Sequence, residues 1–509
     1  MSFGSPYLPR RVLACAISLS LAAGALPSFA HAQDATTPQL FINTNGTVDG
    51  SVLVDGSAYA VMSSGRSAGA TASAEVNGNV TNASEGQKVV YGAVSEGKNG
   101  GDGNLDIGGN VTVAPNDESN ASQTVKAALD SGQQGNATLN IDGNVSAVGS
   151  KEVTGIELQS GGNTSSATAT IGGDVTATGT SAQGDANTRT YAVHAQSEEQ
   201  SNTLARIAGD VVARAYGSGT TVATGVNIYA TGQSSTIAEV KGSILSDASA
   251  GAYGGSLYAD ASTAQLLVGG NVVANAPKDS VGISLESKGG AIPKLVVAGT
   301  VRAGTAGLEF DGDKSASYDV TVWKIEVGDG GKLVRVGDQV GKTPESLASQ
   351  IKYIIKVEQP KEGGRLSALN GLKEALAQSS NYDVAHAGDK VYLNVALESG
   401  YYISAAYNGL GQKVKLMHDE GGYYVIVPDG GGIYLTAELG KAAPKPQAEQ
   451  PVTDEPVWEY AAVTTTAPSS RILPATGDSQ TTVLPLAALL AGITCMAVAF
   501  SRRVKANNA

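Results

Sequence analysis

Glu157 and His194 are the two residues of the central part of the chain whose types and spacing could support acid–base chemistry. A polysaccharide lyase or hydrolase needs two or more carboxylates, or a carboxylate with a base, that project into one groove. The outward column predicted from the repeats described below holds only this adjacent titratable pair. It reads Val61, Ala93, Ala128, Glu157, His194, Asn227, Ser256, Ser284 and Glu309. We interpret the pair as part of a solvated face and expect no catalytic residue and no enzymatic activity. A surface polysaccharide lyase or hydrolase on a β-helix scaffold stays as the alternative hypothesis.

Metal and thiol chemistry find little support in the sequence. The stretch Gly100–Asp106 is similar to one calcium-binding nonapeptide of the toxin-repeat type, but such motifs share each ion between successive turns, and this one stands alone. His386 and His418 show no ligand spacing. Cys15 and Cys495 lie in apolar segments near the termini, which leaves the mature body without cysteine. We expect no metal and no cofactor, with calcium binding to Gly100–Asp106 as an open alternative.

The central part of the chain is repetitive. An aliphatic residue, a variable residue, glycine, a small polar residue and a second aliphatic residue recur in nine copies, as in Ile107-Gly108-Gly109-Asn110-Val111. The spacing between copies varies while the motif itself stays constant, so we expect insertions to be confined to loops. The copies are centred on Gly50, Gly78, Gly109, Gly143, Gly173, Gly209, Gly242, Gly270 and Gly299. The glycine, with its freedom to take positive φ, and the short polar neighbour are expected to form a turn.

A second strand with alternating apolar and polar residues lies between most copies. Examples are Gly155–Leu158, Ala192–Ala195, Gly225–Ile228 and Gly282–Leu285. Abundant glycine, at 65 residues, and only 5% aromatics favour stacked short strands over helices. Stacking the copies places aliphatic columns on both sides of the turn. We therefore predict an all-β fold, with a parallel, right-handed β-solenoid of about nine coils over 33–322; an antiparallel meander is the alternative.

The chain after the repeats changes character. Asp319 to Val336 is predicted to form two strands. Residues 323–352, which include part of these strands, are predicted to form a cap or connector. Within it, Thr343-Pro344-Glu345 has the pattern of a helix start. Residues 353–441 contain Ala387-Gly388-Asp389-Lys390-Val391-Tyr392-Leu393 and Ile433-Tyr434-Leu435-Thr436-Ala437, which resemble the internalin-B-type bacterial repeat. That resemblance implies a small β-rich spacer or binding module without catalysis. The segment from Gly363 to Asp383 departs from it, with a short helix expected around Leu369 to Leu376.

The N-terminus has the order of a secretory signal peptide. Arg10 and Arg11 precede an apolar run, and Ala30-His31-Ala32 ends it. We predict a signal peptide over 1–32, with Ala30 and Ala32 forming the signal peptidase site and cleavage after Ala32. A membrane anchor that stays in place is the alternative.

The C-terminus has three parts in a fixed order. Leu473-Pro474-Ala475-Thr476-Gly477 precedes a polar spacer, an apolar stretch over 483–500 and the cations Arg502, Arg503 and Lys505. The apolar stretch is long enough to span a bilayer as a helix, with the cations in the cytoplasm. A single-pass anchor with a chance pentapeptide is the alternative.

This order resembles the cell-wall sorting signal of LPxTG surface proteins of Gram-positive bacteria, here over 473–509. The resemblance implies that a sortase recognises Leu473, Pro474, Ala475, Thr476 and Gly477, cleaves after Thr476 and joins Thr476 to peptidoglycan. The protein would then be in the membrane only before sorting.

Residues 442–472 are rich in proline, acidic residues and threonine, which predicts an extended linker through the wall. The formal net charge is -13, and no run of Lys and Arg in the body could neutralise a phosphate backbone. We therefore expect no nucleic acid partner.

The expected function is that of a secreted, wall-anchored adhesin or interaction protein that binds a glycan or a host or bacterial surface. A purely structural spacer remains a further hypothesis. The positions of five tyrosines discriminate between a glycan-binding adhesin and a spacer, since tyrosines that share one groove favour glycan binding. These are Tyr191, Tyr216, Tyr229, Tyr253 and Tyr258.

Overall fold

The computed structural model describes residues 46–442, except 56, 85–86, 116–123, 181–186, 338–339 and 409–415. The regular secondary structure of the described part is β-strand apart from a single five-residue helix. The predicted signal peptide over 1–32 and the sorting signal over 473–509 lie outside it, as does all of the Pro-rich linker except its first residue.

The repeated part is built from 28 strands. They are β1 (Gly46–Val48), β2 (Val52–Val54), β3 (Tyr59–Gly65), β4 (Thr71–Val76), β5 (Val80–Asn82), β6 (Val89–Lys98), β7 (Asp102–Ile107), β8 (Val111–Val113), β9 (Thr124–Gln133), β10 (Asn136–Ile141), β11 (Val145–Gly149), β12 (Glu152–Gly161), β13 (Ser166–Ile171), β14 (Val175–Thr180), β15 (Asn187–Ser197), β16 (Asn202–Ile207), β17 (Val211–Tyr216), β18 (Thr220–Thr231), β19 (Ser235–Val240), β20 (Ile244–Ala248), β21 (Gly251–Asp260), β22 (Thr263–Val268), β23 (Val272–Asn275), β24 (Asp279–Lys288), β25 (Lys294–Ala303), β26 (Ala306–Gly312), β27 (Asp319–Val327) and β28 (Lys332–Val336).

Each of the first eight coils contributes one strand to each of three sheets, and every pairing among the strands of the coils is parallel. The long-strand sheet contains ten strands, in the order β3, β6, β9, β12, β15, β18, β21, β24, β26 and β28. The second sheet starts with β1, β4 and β7, and the third with β2, β5 and β8. In the last two coils the second and third strands are continuous, as β25 and β27. The parallel β-solenoid is therefore confirmed, and the antiparallel alternative is wrong.

The repeated motif forms the corner between the second and third sheets. Ile107 ends β7 and Val111 begins β8, with Gly108, Gly109 and Asn110 in the turn between them. Both flanking aliphatic positions are buried in the corresponding coils, as predicted: Ile141, Ile171 and Ile207 on one side, and Val145, Val175 and Val211 on the other. These columns belong to one continuous core, so no coil has to bury its apolar face alone.

The polar residue of each corner links its coil to the next one. Its side-chain oxygen accepts a hydrogen bond from the backbone N–H of the polar residue one coil later, as between Asn110 Oδ1 and Asn144 N at 2.7 Å. We call this series the corner ladder. It runs from Ser51 through Asn79, Asn110, Asn144, Asp174, Asp210, Ser243 and Asn271 to the N–H of Thr300.

The corner glycines are required for a reason other than the predicted one. Of the nine, Gly50 alone has a positive φ. At Gly173, a Cβ atom would lie 2.2 Å from Asn144 Oδ1, and at Gly109 it would lie 2.5 Å from Asn79 Oδ1. The ladder side chain of the preceding coil thus occupies the space of a side chain, so the expectation of positive φ was wrong for eight of the nine corners.

One acidic side chain points into the solenoid. Asp130 lies in β9 beside Ser95 of β6 and Leu158 of β12, is fully buried, and has neither carboxyl oxygen in a hydrogen bond. Burial raises the pKa of this carboxyl well above its usual range and outweighs the nearby Ser95 hydroxyl and Thr168 backbone. Burial therefore favours the neutral form of the Asp130 carboxyl in the core.

A short helix follows β28 where the solenoid ends. Helix α1 (Pro344–Ala348) begins as predicted, with Thr343 as N-cap accepting the N–H of Ser346 at 3.2 Å. Buried Leu347 lies beside Phe310 of the long-strand sheet. The helix therefore covers part of the apolar end of the coil stack.

The remaining residues form a small β module. Its strands are β29 (Lys352–Val357), β30 (Gly364–Leu369), β31 (Ala377–Ser379), β32 (Tyr382–Ala385), β33 (Lys390–Leu397), β34 (Tyr401–Asn408), β35 (Met417–Asp419), β36 (Gly422–Ile426) and β37 (Ile433–Lys441). Strands β30, β33, β36 and β35 form an antiparallel sheet. Strand β29 continues the second sheet of the solenoid by pairing with β27, and it also pairs with β37. The four strands predicted here, near β29, β33, β36 and β37, are all present.

The helix expected around Leu369 to Leu376 is wrong. Strand β30 continues to Leu369, and a turn follows it. Asn370 Oδ1 accepts the N–H groups of Leu372 and Glu374, and Lys373 has a φ of 67°. The asparagine side chain thus takes the donors that a helix would use, which explains why apolar spacing alone misled the prediction.

Candidate functional site

The outward face of the long-strand sheet carries most of the tyrosine side chains in the described repeated part. Because its strands pair in register, equivalent residues of successive coils form columns that run along the rod. Two stacked tyrosine pairs within these columns have ring centroids 4.8 and 4.6 Å apart, close to the usual strand spacing.

The predicted polar column is correct in six coils and wrong in three. Glu157, His194, Asn227, Ser256, Ser284 and Glu309 do lie side by side. Val61, Ala93 and Ala128 instead belong to the adjacent inward column and are buried. Their outward neighbours are Met62, Val94 and Leu129. Since those outward residues are apolar, hydrophobic alternation gave the wrong face in these coils.

Glu157 and His194 are adjacent, as predicted, but each is engaged by other residues. The Glu157 carboxylate pairs with Lys126 and accepts a hydrogen bond from Gln159. His194 Nδ1 lies 2.8 Å from Asn227 Nδ2. Burial lowers the pKa of the His194 imidazole despite the opposing effect of the Glu157 carboxylate, so the ring is neutral at pH 7. The pair therefore forms part of a hydrogen-bonded polar row.

Four of the five tyrosines singled out in the sequence lie on this face. Tyr191 and Tyr253 occupy one column, two coils apart, with Thr224 between them. Tyr229 and Tyr258 are adjacent in another column. Tyr216 is the exception, because it lies in β17 of the third sheet and donates to Asp247 Oδ2 at 2.8 Å.

Sequence reasoning missed a further tyrosine pair on the same face. Tyr59 and Tyr91 stack with an interplanar angle of 2° in the first two coils and share the column that later contains Tyr191. Each precedes a small residue and the strand's apolar run, as Tyr191 does before Ala192-Val193. That shared position was the signal that could have identified them.

The tyrosine stacks present ring edges to solvent. The Tyr229 and Tyr258 rings lie within 8° of parallel, and the Lys288 ammonium lies 5.1 Å from the centre of the Tyr258 ring. The facing sides of the two rings are therefore covered by each other, which leaves ring edges and hydroxyl groups for a ligand. Asn227 and Ser256 lie two residues earlier in the same strands, so amide and hydroxyl groups line the face beside the stack.

The C-terminal coils of this face carry an ion-pair network. Arg335 donates to Asp279 and to Glu309, each at 2.8 Å, and Tyr253 donates its hydroxyl to Asp279 at 3.2 Å. Burial acts to raise the pKa of the Asp279 carboxyl, but its hydrogen bonds with Arg335 and Thr305 outweigh that effect and lower it. Strand β28 is thereby tied to β24 across β26.

The proposed calcium stretch lies partly in a strand. Residues Asp102 and Asp106 belong to β7, where they accept hydrogen bonds from Asn136 at 2.9 Å and from Asn140 at 2.7 Å in the next coil. Over residues 46–442, apart from the gaps given above, no group of three or more His, Cys, Asp or Glu is arranged to hold a metal ion.

The terminal site residues lie outside the described residues. These are Ala30 and Ala32 of the predicted peptidase site, residues 473–477 of the predicted sortase site and the apolar segment 483–500. In the part of the chain that the structure describes, no helix is long and apolar enough to cross a membrane.

Comparison with known proteins identifies the C-terminal segment. Residues 467–507 match the LPXTG cell wall anchor motif, and this range contains the pentapeptide at 473–477. No curated protein and no solved structure matched the chain. The motif implies covalent attachment to peptidoglycan by a sortase. The chain is thus a β-solenoid surface protein anchored to the cell wall on the outside of the cell.

Proposed function

We propose that this protein is a non-catalytic adhesin whose contact surface is the outward face of the long-strand sheet. The observation that carries this proposal is the placement of six tyrosines, Tyr59, Tyr91, Tyr191, Tyr229, Tyr253 and Tyr258, on one of the three sheets. Aromatic residues spread around the rod would have favoured a spacer.

The chemistry of the face fits a polyhydroxylated ligand such as a glycan. Tyrosine hydroxyls, Asn227, Ser256 and Ser284 can donate and accept hydrogen bonds, and they recur at the spacing of the coils. Many weak contacts along one rod, and many rods on one wall, would add up to strong attachment.

Catalysis is a weaker hypothesis for this face. A lyase or hydrolase would need Glu157 or His194 to exchange protons with a substrate. Lys126 and Gln159 already engage the carboxylate of Glu157, and Asn227 engages the Nδ1 atom of His194. We therefore propose that the pair contributes polar contacts only.

The remaining segments deliver and display the rod. We propose that the signal peptide is cleaved after Ala32, that the segment 483–500 holds the chain in the membrane before sorting, and that sortase joins Thr476 to peptidoglycan. The β module of residues 353–441 would serve as an internalin-B-type spacer, and the Pro-rich segment 442–472 as the linker through the wall.

A fragment spanning residues 33–441 provides the test, on a panel of glycans and matrix proteins alongside a polysaccharide degradation assay. We expect binding that Tyr229→Ala combined with Tyr258→Ala weakens, while Tyr216→Ala on the third sheet does not. Release of oligosaccharides would instead establish the enzyme hypothesis. No binding and no degradation would favour the structural spacer.

A further inference from the structure

The charges on the outward face of the long-strand sheet are separated along the rod. Near the N-terminal end, the first three coils carry three cations and one carboxylate, namely Arg66, Lys98, Lys126 and Glu96. We call this set the basic end.

Near the other end of the same face, the sign is reversed. The last four coils carry five carboxylates and three cations, namely Asp260, Asp279, Glu286, Glu309, Asp311, Lys288, Lys332 and Arg335. We call this set the acidic end. Between the two ends, the face carries Glu152, Glu157 and Arg189 together with uncharged residues such as Asn227 and Tyr229.

We propose that this face binds the same face of a second copy of the protein in an antiparallel arrangement. A two-fold axis that lies parallel to the strands, near β15 and β18, reverses the rod direction and keeps each column opposite its own copy. The basic end of each copy then lies opposite the acidic end of the other, at two equivalent places.

The positions of the charges along the strands favour this arrangement. Lys98 ends β6 and Arg66 directly follows β3, while Asp260 ends β21 and Asp311 is the last but one residue of β26. Because the axis keeps this edge of the sheet opposite itself and sets β6 against β26, the cluster of Arg66, Glu96 and Lys98 lies opposite Asp311 of the second copy. Asp260 lies opposite β12. Charges on opposite edges would instead remain separated by the width of the sheet.

The face is large enough for a stable interface. Ten strands at the usual spacing span about 43 Å, and strands of about ten residues make the contact area on the order of 1,000 Å² per copy. Stable protein interfaces bury roughly 800 Å² per partner.

Antiparallel rods anchored by their C-terminal ends belong to two opposed cells, so this pairing would join cells to one another. This pairing rests on the proposed function, because it uses the same contact face, and it identifies a second copy of the protein as the partner.

The test displays the full chain on sortase-bearing bacterial cells, with equal surface amounts confirmed by antibody binding. The first variant reverses the basic end as a unit, with Arg66→Glu, Glu96→Lys and Lys98→Glu, which preserves pairing within the cluster. The second reverses part of the acidic end, with Asp260→Lys and Asp311→Lys. A control variant, Arg206→Glu with Lys241→Glu, places reversed charges away from this face.

Wild-type and control cells are expected to aggregate, with about a tenfold loss when salt rises from 0.05 to 0.5 M. Each face variant should fail to aggregate by itself, and a mixture of the two variants, labelled with different dyes, should form mixed aggregates. Absence of wild-type aggregation, variants that aggregate normally, or a mixture that stays dispersed would overturn the proposal. Labelled glycans applied to the same cells separate the two hypotheses, because glycan binding without aggregation rejects self-pairing and keeps the proposed function.

Discussion

The side-chain oxygen Oδ1 of Asn144 accepts a hydrogen bond from the backbone N–H of Asp174, 2.7 Å away in the next coil. The same oxygen would lie 2.2 Å from a Cβ atom at Gly173. One contact therefore explains both constant features of the repeat, the small polar residue and the glycine that precedes it. It links two residues 30 positions apart in the sequence.

Replacing Gly173 by alanine should destabilise the solenoid by about 2 kcal/mol, because the new methyl group must displace Asn144 or the backbone beside it. The free energy of unfolding in denaturant measures the effect. Gly161→Ala is the matched control, since a Cβ atom there meets no atom within 4 Å and the φ angle is ordinary. Equal stability of the two variants would contradict the packing explanation.

Replacing Asn144 by alanine should lower the free energy of unfolding by about 1 kcal/mol, because the N–H of Asp174 loses its acceptor. Asn144→Asp keeps that acceptor, as Asp174 and Asp210 do at the same position of later coils. Thermal unfolding of the two variants should therefore separate them, with the aspartate variant close to the wild type. A loss of similar size in both would mean that the ladder oxygen is unimportant.

Asp130 should make the stability of the solenoid depend on pH. Its pKa is raised in the folded protein, so the folded state binds the proton more tightly than the unfolded state, whose aspartate titrates near pH 4. The free energy of unfolding should then fall as pH rises from about 4 towards neutrality. Asp130→Asn removes this contribution and should be more stable than the wild type at pH 7.

The difference between the Asp130→Asn variant and the wild type, measured by denaturant unfolding at pH 4.5 and at pH 7, checks this expectation. The advantage of the variant should grow between the two pH values. An advantage that is equal at both, or one that shrinks, would show that the carboxyl does not stay neutral in the core.

Tyr229 and Tyr258 should contact a ligand through their hydroxyl groups, because the facing sides of their rings are covered by each other. Changing both to phenylalanine keeps the stack and removes the hydroxyls. Glycan affinity should fall about fivefold for each lost hydrogen bond, with little change in thermal stability. Tyr216→Phe, which removes a hydroxyl on the third sheet, is the control. If the double phenylalanine variant binds as the wild type does, the ligand does not use these hydroxyl edges.

Sequence alone predicted the solenoid because the corner motif is strict in both spacing and residue type. The aliphatic positions on either side of the turn, such as Ile171 and Val175, are buried where the pattern placed them. The role of Asn144 as a link between coils was not predictable in the same way. It depends on the distance between coils, and local turn chemistry suggested a bond within the turn.

The candidate face was only partly predictable. Its polar column was correct from Glu157 onward, where polar residues mark the outward side. In the first coils, Val94 and Leu129 point outward while Ala128 points inward, so polarity carried no information about direction. Asp130 is the reverse case, an acidic residue in a core column beside Leu158, which no rule of alternation anticipates.

The corner ladder also bears on how such a rod changes its length during evolution. Each coil offers one acceptor oxygen to the following coil and one donor N–H to the preceding coil, as Asn110 does between Asn79 and Asn144. Duplication or loss of a whole coil therefore rejoins a matching donor and acceptor, whereas loss of part of a coil leaves both without a partner. The reach of the protein beyond the wall can thus grow or shrink in steps of one coil, about 4.8 Å each, without redesign of its core.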